Sequence, residues 1–590
     1  MKAAAANALW LAGCLAEYRR FRRATQRVEQ EQRGILRRVL AENAETEFGR
    51  AHGFLRIRGV REYQERVPLR EYADFGSWME RIAEGKPNVL TREPVRLLEP
   101  TSGTSSGNAG GAIGTFARSG PAGRMDGSAA GSATKLVPYT RGLEREFQAG
   151  IRAWISDLFV SDPRLLSGEA YWSVSPAIAA QGKTRGGIAV GFEDDTWYVG
   201  GWQQRMVQAA MAVPGAVREI RDMETFRYVT LLFFARSRRL KLISVWNPTF
   251  LTLLVERLPE WGEELARDLE RGTAQGGPMR GDARREMELP RDVRAWQRAD
   301  ARRAREVRAA LLGARSRAEL HCALWPELRL VSCWADANAA GPAAQLAGLF
   351  PQARVQAKGL IATEGFVSLP FAGREGAALA VRSHFVEFLP LDAAGEVDCR
   401  KPLLAHELER GGRYSVVLTT SGGLYRYQLN DVIEVAGHLR ECPLVRFVGR
   451  RGQVSDWFGE KLNEAQVARA LREAFGEAGI APEFAMMACE PSAARGPAPG
   501  YVLYMEVSAP DGAMEAVARR IEARLHENIH YDYARRLGQL AALRVARVEG
   551  AAEKYLAARM RKGQRAGDVK PVALDGGAGW AEAFSLAASA

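Results

Sequence analysis

Lysine is scarce in this 590-residue chain, with eleven against 71 arginines, although together these 82 outnumber the 70 acidic residues and give a formal charge of +12. The arginines are spread along the whole sequence. No concentrated basic face or nucleic-acid-binding motif accompanies them, so the charge does not make this a DNA- or RNA-binding protein. Cysteine is scarce too: Cys14, Cys322, Cys333, Cys399, Cys442 and Cys489 are far apart and include no C-x-x-C pair. That excludes a disulfide framework and a zinc site of the usual spacing, and it fits a reduced, cytoplasmic protein. No apolar run reaches the ~20 residues that a membrane-spanning helix needs. Internal repeats are absent as well.

What is present is length and an ordered series of elements. A chain of 590 residues exceeds the size at which one core keeps growing, so two or more domains are expected. The first sixteen residues contain Lys2, a short apolar stretch and Leu11-Ala12-Gly13-Cys14, a box like that of lipoproteins. Trp10, Leu11, Cys14 and Tyr18 nevertheless recur at helical spacing, which predicts a first helix docked by its apolar face. An amphipathic helix follows to about Ala41, and 1–85 reads as helical throughout. Strands are expected at 89–91, 95–98, 170–174, 328–332, 354–357, 377–383, 414–420 and 445–448, with apolar runs at 228–235 and 240–246. Helices are expected at 144–159 and 250–257, and the charge-rich 271–317 reads as a loop and a solvated helix. Beyond Gly449 helix and strand alternate (463–478, 501–507, 514–526), which suits a small mobile α+β domain. Arg450-Arg451-Gly452 is the expected hinge. The division is therefore 1–449 and 450–590, with a disordered tail from about 572.

Five segments carry chemistry. Thr101, Ser102, Gly103, Thr104, Ser105, Ser106 and Gly107 follow Leu98-Glu99-Pro100 and offer backbone N–H and hydroxyl donors that can wrap a phosphate chain. The lysine that usually accompanies such a loop comes only at Lys135, in Lys135-Leu136-Val137-Pro138-Tyr139-Thr140. A Gly/Ala/Ser-rich insertion, 108–132, stands between and is expected to loop out, because lengthening a flexible loop costs little. The second segment, 358–365, places Thr363 and Glu364 at a turn after a strand. The third, 419–432, joins a Gly turn and Tyr425-Arg426-Tyr427 to Asp431. The fourth runs from Phe447-Val448-Gly449-Arg450 to Glu460-Lys461, and the fifth, 563–571, contains Lys570. Lys135, Lys461 and Lys570 are three of only eleven lysines, and each sits where a compact ammonium is wanted.

In this order and spacing the segments resemble the acyl-acid amido synthetases of the Gretchen Hagen 3 (auxin-responsive promoter) family, adenylate-forming ligases, over essentially the whole chain; a bacterial member is expected. The resemblance implies a mixed α/β fold, with a large N-terminal adenylation domain of sheets and a β-barrel flanked by helices and a smaller mobile C-terminal domain. It implies ATP and Mg²⁺ as cofactors, a carboxylic acid and an amine, usually an amino acid, as partners, and a monomer. Thr101–Gly107 becomes the ATP phosphate loop, Thr363 and Glu364 the adenine-side turn with Glu364 toward Mg²⁺, and Asp431 the ribose acceptor. Arg450 lies near the ribose, and Lys570, with Lys135 and Lys461, serves the phosphates. Ser175, Val245, Trp246 and Asn247 fall in the acyl pocket region, beside Trp172, Ser173, Val174, Pro176 and Pro248. A thioester-forming ligase and a non-catalytic nucleotide binder are the competing readings, the second because the phosphate loop is interrupted.

Overall fold

The computed structural model describes residues 2–101, 135–172, 182–191, 201–220, 222–275, 289–295, 298–392, 397–451, 454–455, 457, 460, 462–490, 499–536, 539–561, 564, 566–577 and 579–584. The expected 108–132 excursion lies outside these residues, as do Ser102–Gly107, Ser173–Pro176 and Lys461.

The first helix, Lys2–Ala24, buries Trp10, Cys14, Tyr18 and Phe21 along one stripe. Trp10 meets Phe159 and Trp172 edge-on at 6.0 and 5.8 Å between ring centres, so the helix is docked as its periodicity predicts. Cys14 is part of that core, and burial pushes its thiol up to about 12.

A parallel sheet forms the centre of the N-terminal half, its strands Glu169–Trp172, Leu240–Ser244, Leu330–Cys333 and Arg354–Ala357 adjacent in that order. Alternation sends Leu242 and Leu330 into one core, shared with the Lys2–Ala24 and Arg141–Ser161 helices. Ile243 and Val331 enter a second core with the Met223–Arg236 and Leu258–Arg271 helices. The 228–235 run belongs to Met223–Arg236, a helix buried along nearly all of 225–235. The helix expected to be solvated is Ala301–Gly313, and here the expectation needs correction. Arg303 is buried and donates to the carbonyls of Ala235 and Leu324 at 2.6 Å each, closing the C-terminal ends of the Met223–Arg236 and Arg317–Leu324 helices.

A seven-stranded antiparallel sheet follows, in the order Ser368–Pro370, Ala377–Leu379, Cys442–Arg450, Tyr427–Leu439, Arg413–Thr419, Phe385–Pro390, Leu403–Leu404. It occupies the place of the expected barrel, and its two edge strands share no ladder among the described residues. The 89–91 strand is not formed. The carbonyls of Asn88 and Val89 instead accept from the N–H groups of Glu47 and Phe48, capping the short Glu47–Ala51 helix.

The C-terminal unit is a four-stranded mixed sheet, Ala541–Arg547, Gly500–Glu506, Phe484–Glu490 and Leu574–Asp575, with the Glu464–Ala478 and Asp511–Leu525 helices on a core of its own. The tail does not lose order at 572. Leu574–Asp575 pairs parallel with Met487–Ala488, and Trp580 and Phe584 are buried against Phe484 and Tyr555, because these aromatics supply an apolar face that the expectation overlooked.

Candidate active site

The phosphate-loop entry and its lysine are brought together by a hairpin. Leu97–Pro100 pairs antiparallel with Leu136–Tyr139, Pro100 opposite Leu136, and the Thr101 N–H donates to the Lys135 carbonyl at 2.9 Å. The long insertion therefore connects two adjacent strand ends, and Lys135 stands directly beside Thr101 as expected. Its Nζ lies 5.7 Å from the ring centre of Tyr72, whose hydroxyl both donates to and accepts from the Leu136 backbone. Burial, and then the charge of Arg450, lowers the Lys135 pKa, while Glu364 opposes that shift.

Thr363 and Glu364 occupy a turn held from two sides. The Tyr139 hydroxyl donates to the Thr363 carbonyl at 2.5 Å, and the Tyr427 hydroxyl donates to Glu364 Oε1 at 3.2 Å. Behind the turn a buried network fixes its exit. The Phe366 N–H donates to His384 Nε2 at 2.9 Å, which makes His384 Nδ1 the donor to Glu146 at 2.8 Å. Glu146 also accepts from the Ser421 hydroxyl and N–H at 2.6 and 3.0 Å. One carboxylate on the Arg141–Ser161 helix thus ties the second motif to the third. Nothing in the local pattern marks it, since a lone Glu in an amphipathic helix is ordinary until its partners are known.

Asp431 and Arg450 meet because they are register partners on adjacent antiparallel strands, with Arg450 Nε 3.8 Å from Asp431 Oδ1. Asp431 is 4% exposed. Burial raises its pKa, with Arg450 and Lys570 pulling it back down. Burial pulls Arg450 down, but Asp431 and Glu364 outweigh this and its pKa is raised.

Lys570 comes to the same cleft from the C-terminal unit. Thr101, Glu364, Asp431, Arg450 and Lys570 all line it, with Trp334 beneath the Lys570 ammonium at 5.3 Å from its ring centre. The Lys570 segment is fixed at two points. The Tyr555 hydroxyl donates to the Lys570 carbonyl at 3.0 Å, and Asn247 Nδ2 donates to the Val569 carbonyl at 2.6 Å.

The residues expected to contact the acid are distributed differently. Ser175 lies outside the described residues. Val245 is fully buried in the core, its N–H donating to Ser332. Trp246 stands 5.9 Å from Trp334 between ring centres, beside the cleft. Asn247 caps the Pro248–Val255 helix through Oδ1, which accepts from Thr249, while its amide holds Val569. An N-cap before Pro was legible as Asn247-Pro248; its second role depends on a residue 322 positions away.

Nucleotide chemistry fits these residues. Lys135 and Lys570 have no ion-pair partner among the described residues, and the Asp431 carboxylate faces Arg450 at a distance longer than a hydrogen bond. A polyphosphate with a hydroxylated sugar would satisfy both kinds of group. Among the described residues no cluster of three or more His, Cys, Asp or Glu could hold a metal by itself. Glu364 as a single carboxylate suits Mg²⁺ carried on phosphates, which keeps most of its coordination outside the protein.

Residues 17–109 and 127–355 match the GH3 family N-terminal domain, 377–450 the GH3 family central domain and 465–574 the GH3 family C-terminal domain. The chain is 24% identical over 484 residues to the probable indole-3-acetic acid-amido synthetase GH3.12 of Oryza sativa subsp. japonica, covering 77% of this chain and 74% of the relative. It is 31% identical over 180 residues to a GH3 domain-containing protein of Homo sapiens, 30% of this chain and 33% of that one. In fold it is similar to a GH3.15 acyl acid amido synthetase solved in complex with 2,4-DB, with a TM-score of 0.78 at 18% identity over 98% of this chain and 95% of the other. Domain matches in the same order along most of the chain, and a likeness of fold over nearly all of it, lead to one conclusion: this chain belongs to the GH3 family.

Proposed function

We propose that this chain is an ATP-dependent acid–amine ligase that activates a carboxylic acid as its adenylate and transfers the acyl group to an amine, an amino acid in the first instance. The observation that carries the reading is that Thr101, Glu364, Asp431, Arg450 and Lys570, one from each of the five segments, line one cleft, with Lys135 beside Thr101 and in the field of Glu364 and Arg450. An amide as product follows from the relatives' names, which are amido synthetases, and an amino acid as the amine is what the resemblance to the family implies.

A carboxylate is a poor nucleophile toward an anionic phosphate chain, so the protein's work is alignment and charge neutralisation. When bound, ATP supplies the phosphorus centre at which the acid is activated, with pyrophosphate and later AMP as leaving groups, and Mg²⁺ supplies charge on its phosphates. Thr101, whose own N–H is given to Lys135, opens the loop that orients the phosphates with its backbone and hydroxyl donors. Lys135 stands at the base of that loop as a point charge. Asp431 accepts from the sugar hydroxyls, held by Arg450. Lys570, delivered by the C-terminal unit, neutralises the reacting phosphate and carboxylate. We assign 1–449 to the binding domain and 450–590 to the domain that brings Lys570, turning near Arg450. Lys461, outside the described residues, remains a second candidate for the phosphates.

The test is acid-dependent ATP–pyrophosphate exchange across an acid library, followed by trapping with amines or thiols. Wild type and a variant lacking 108–132 are expected to exchange, and Lys570→Ala to lose at least ~10²-fold, the scale of one well-placed electrostatic group. If no acid supports exchange while nucleotide still binds, the chain is a nucleotide-binding protein and the ligase assignment is wrong. Amide formation with amines but no thioester with thiols separates the two ligase classes.

A further inference from the structure

The nucleotide reading leaves Lys358 unused, and its surroundings are unusual for a lysine. The residue is 3% exposed, its Nζ donates to Ser244 Oγ at 2.6 Å, and no carboxylate pairs with it among the described residues. Lysine is almost never buried without a partner, because a desolvated amine with unused donors is costly. Three indole rings surround the amine, those of Trp154, Trp246 and Trp172, with centres 4.9, 5.0 and 5.9 Å away. Their faces attract a cation but accept no conventional hydrogen bond. One of three ammonium donors is used, and the other two have no partner among the described residues.

The cage has a definite place in the fold. Trp172 and Ser244 end their strands, and Lys358 follows directly on Ala357 at the end of a third. Register pairs Trp172 with Ser244 and Ser244 with Ser332, whose buried hydroxyl has no hydrogen-bond partner among the described residues. The site is therefore the crevice at the carboxyl ends of a parallel sheet, where open α/β sheets take their ligands. Lys358 lines the same cleft as Glu364, Asp431 and Lys570. Trp334 and Trp246 lie between the two lysines: Lys570 is 5.3 Å from Trp334, the rings are 5.9 Å apart, and Lys358 is 5.0 Å from Trp246. Two amines thus stand at opposite ends of an indole-lined stretch.

We propose, resting on the ligase reading above, that Lys358 determines substrate specificity and that the acid activated is a dicarboxylate, its second carboxylate meeting the Lys358 amine while the reacting carboxylate faces Lys570. An acid with a hydrocarbon end would lie against unused donors and gain nothing from them, so the same amine that selects a dianion rejects a monoacid. A site built for hydrogen bonding can reject an analogue lacking the group by up to ~10⁴-fold. Burial lowers the Lys358 pKa to about 7, and the neighbouring Cys333 thiol, pushed up to about 12, stays neutral beside it. Near neutrality the amine therefore takes a proton from solvent as the second carboxylate arrives. Dicarboxylate affinity is expected to be greatest below that range and to fall as pH rises through it.

The experiment uses pairs of acids of equal length, one monocarboxylic and one carrying a second terminal carboxylate. Pyrophosphate exchange is measured for wild type and Lys358→Met, with calorimetric binding of each acid to the free enzyme between pH 6 and 9. Wild type is expected to favour the dicarboxylate at least ~30-fold in kcat/KM. Lys358→Met is expected to reverse the preference with the KM for ATP unchanged, to lose the pH dependence of acid binding, and to melt no lower than wild type. A wild type that prefers monoacids, or a Lys358→Met that keeps the dicarboxylate preference, overturns the proposal. If Lys358→Met does not fold, Ser244→Ala, which removes the hydroxyl that orients the amine, is expected to reduce the preference ~10-fold, and an unchanged preference is again refuting. Exchange with monoacids alone sinks this inference and leaves the ligase reading standing; exchange with no acid sinks the ligase reading itself.

Discussion

Asn247 offers a way to separate how Lys570 is positioned from how the protein is held together. Its Oδ1 caps the Pro248–Val255 helix by accepting from Thr249 at 2.9 Å, and its Nδ2 donates to the Val569 carbonyl at 2.6 Å, one residue before Lys570. Asn247 and Val569 are both buried. Asn247→Asp keeps the shape and the cap, since Asp and Asn cap about equally well, but turns an oxygen toward the Val569 carbonyl. The change removes a hydrogen bond worth ~1 kcal/mol and leaves a buried carbonyl unmatched at ~1–3 kcal/mol, so about 2–4 kcal/mol is lost from the docked position of Lys570. At 1.4 kcal/mol per tenfold, this is a ~30–700-fold loss if adenylation requires that position. Pyrophosphate exchange at saturating ATP and acid should fall by that factor, with the KM for the acid unchanged. Thermal melting should move little, because the helix keeps its cap. Asn247→Ala should add the ~1 kcal/mol of a lost cap and lower the melting temperature as well. Exchange at the wild-type rate in Asn247→Asp would refute the tether. A raised acid KM at constant kcat would return Asn247 to the acyl pocket, where the sequence placed it.

Asp431→Asn should raise the KM for ATP ~10–100-fold, since hydrogen bonds to a charged acceptor are worth ~1.5–3 kcal/mol. Burial raises the Asp431 pKa above its unfolded value, so ionised Asp431 costs the unliganded protein stability above the folded pKa and the cost is relieved as pH falls through it. Asp431→Asn should accordingly melt no lower than wild type at pH 7–8, with the advantage shrinking in acid. His384→Ala removes one donor from the buried Glu146 carboxylate, which keeps Ser421, and leaves the buried Phe366 N–H unmatched, so a loss of about 1–3 kcal/mol in urea unfolding is expected. In Gly150→Ala the new Cβ would stand 2.3 Å from Phe366 Cδ1, which forces that ring and the Thr363–Glu364 turn to move. A destabilisation of ~1–3 kcal/mol with a larger rise in the KM for ATP than for the acid is expected, and equal rises would mean that the turn does not shape the nucleotide site.

Local pattern carried the sequence a long way. Strand 354–357, the 464–478 helix and the docked first helix follow from periodicity and caps, which act within a few residues of themselves. The five motifs and their order were legible for the same reason, each being a short segment with its own turn chemistry, and together they identified the family. The sequence alone could not say that 89–91 would give its carbonyls to the Glu47–Ala51 helix, that Arg303 would be buried, or that the chain after 572 would rejoin a sheet. Those outcomes depend on which distant groups need partners. The same holds at the cleft. Thr101 recovers Lys135 across the insertion because two strands pair, Asp431 meets Arg450 because of register, and Lys358 enters a tryptophan cage because parallel strands end side by side. Residue types and motif order fix which chemistry is available, but strand order and register decide which charges face one another, because those are set by contacts between segments hundreds of residues apart.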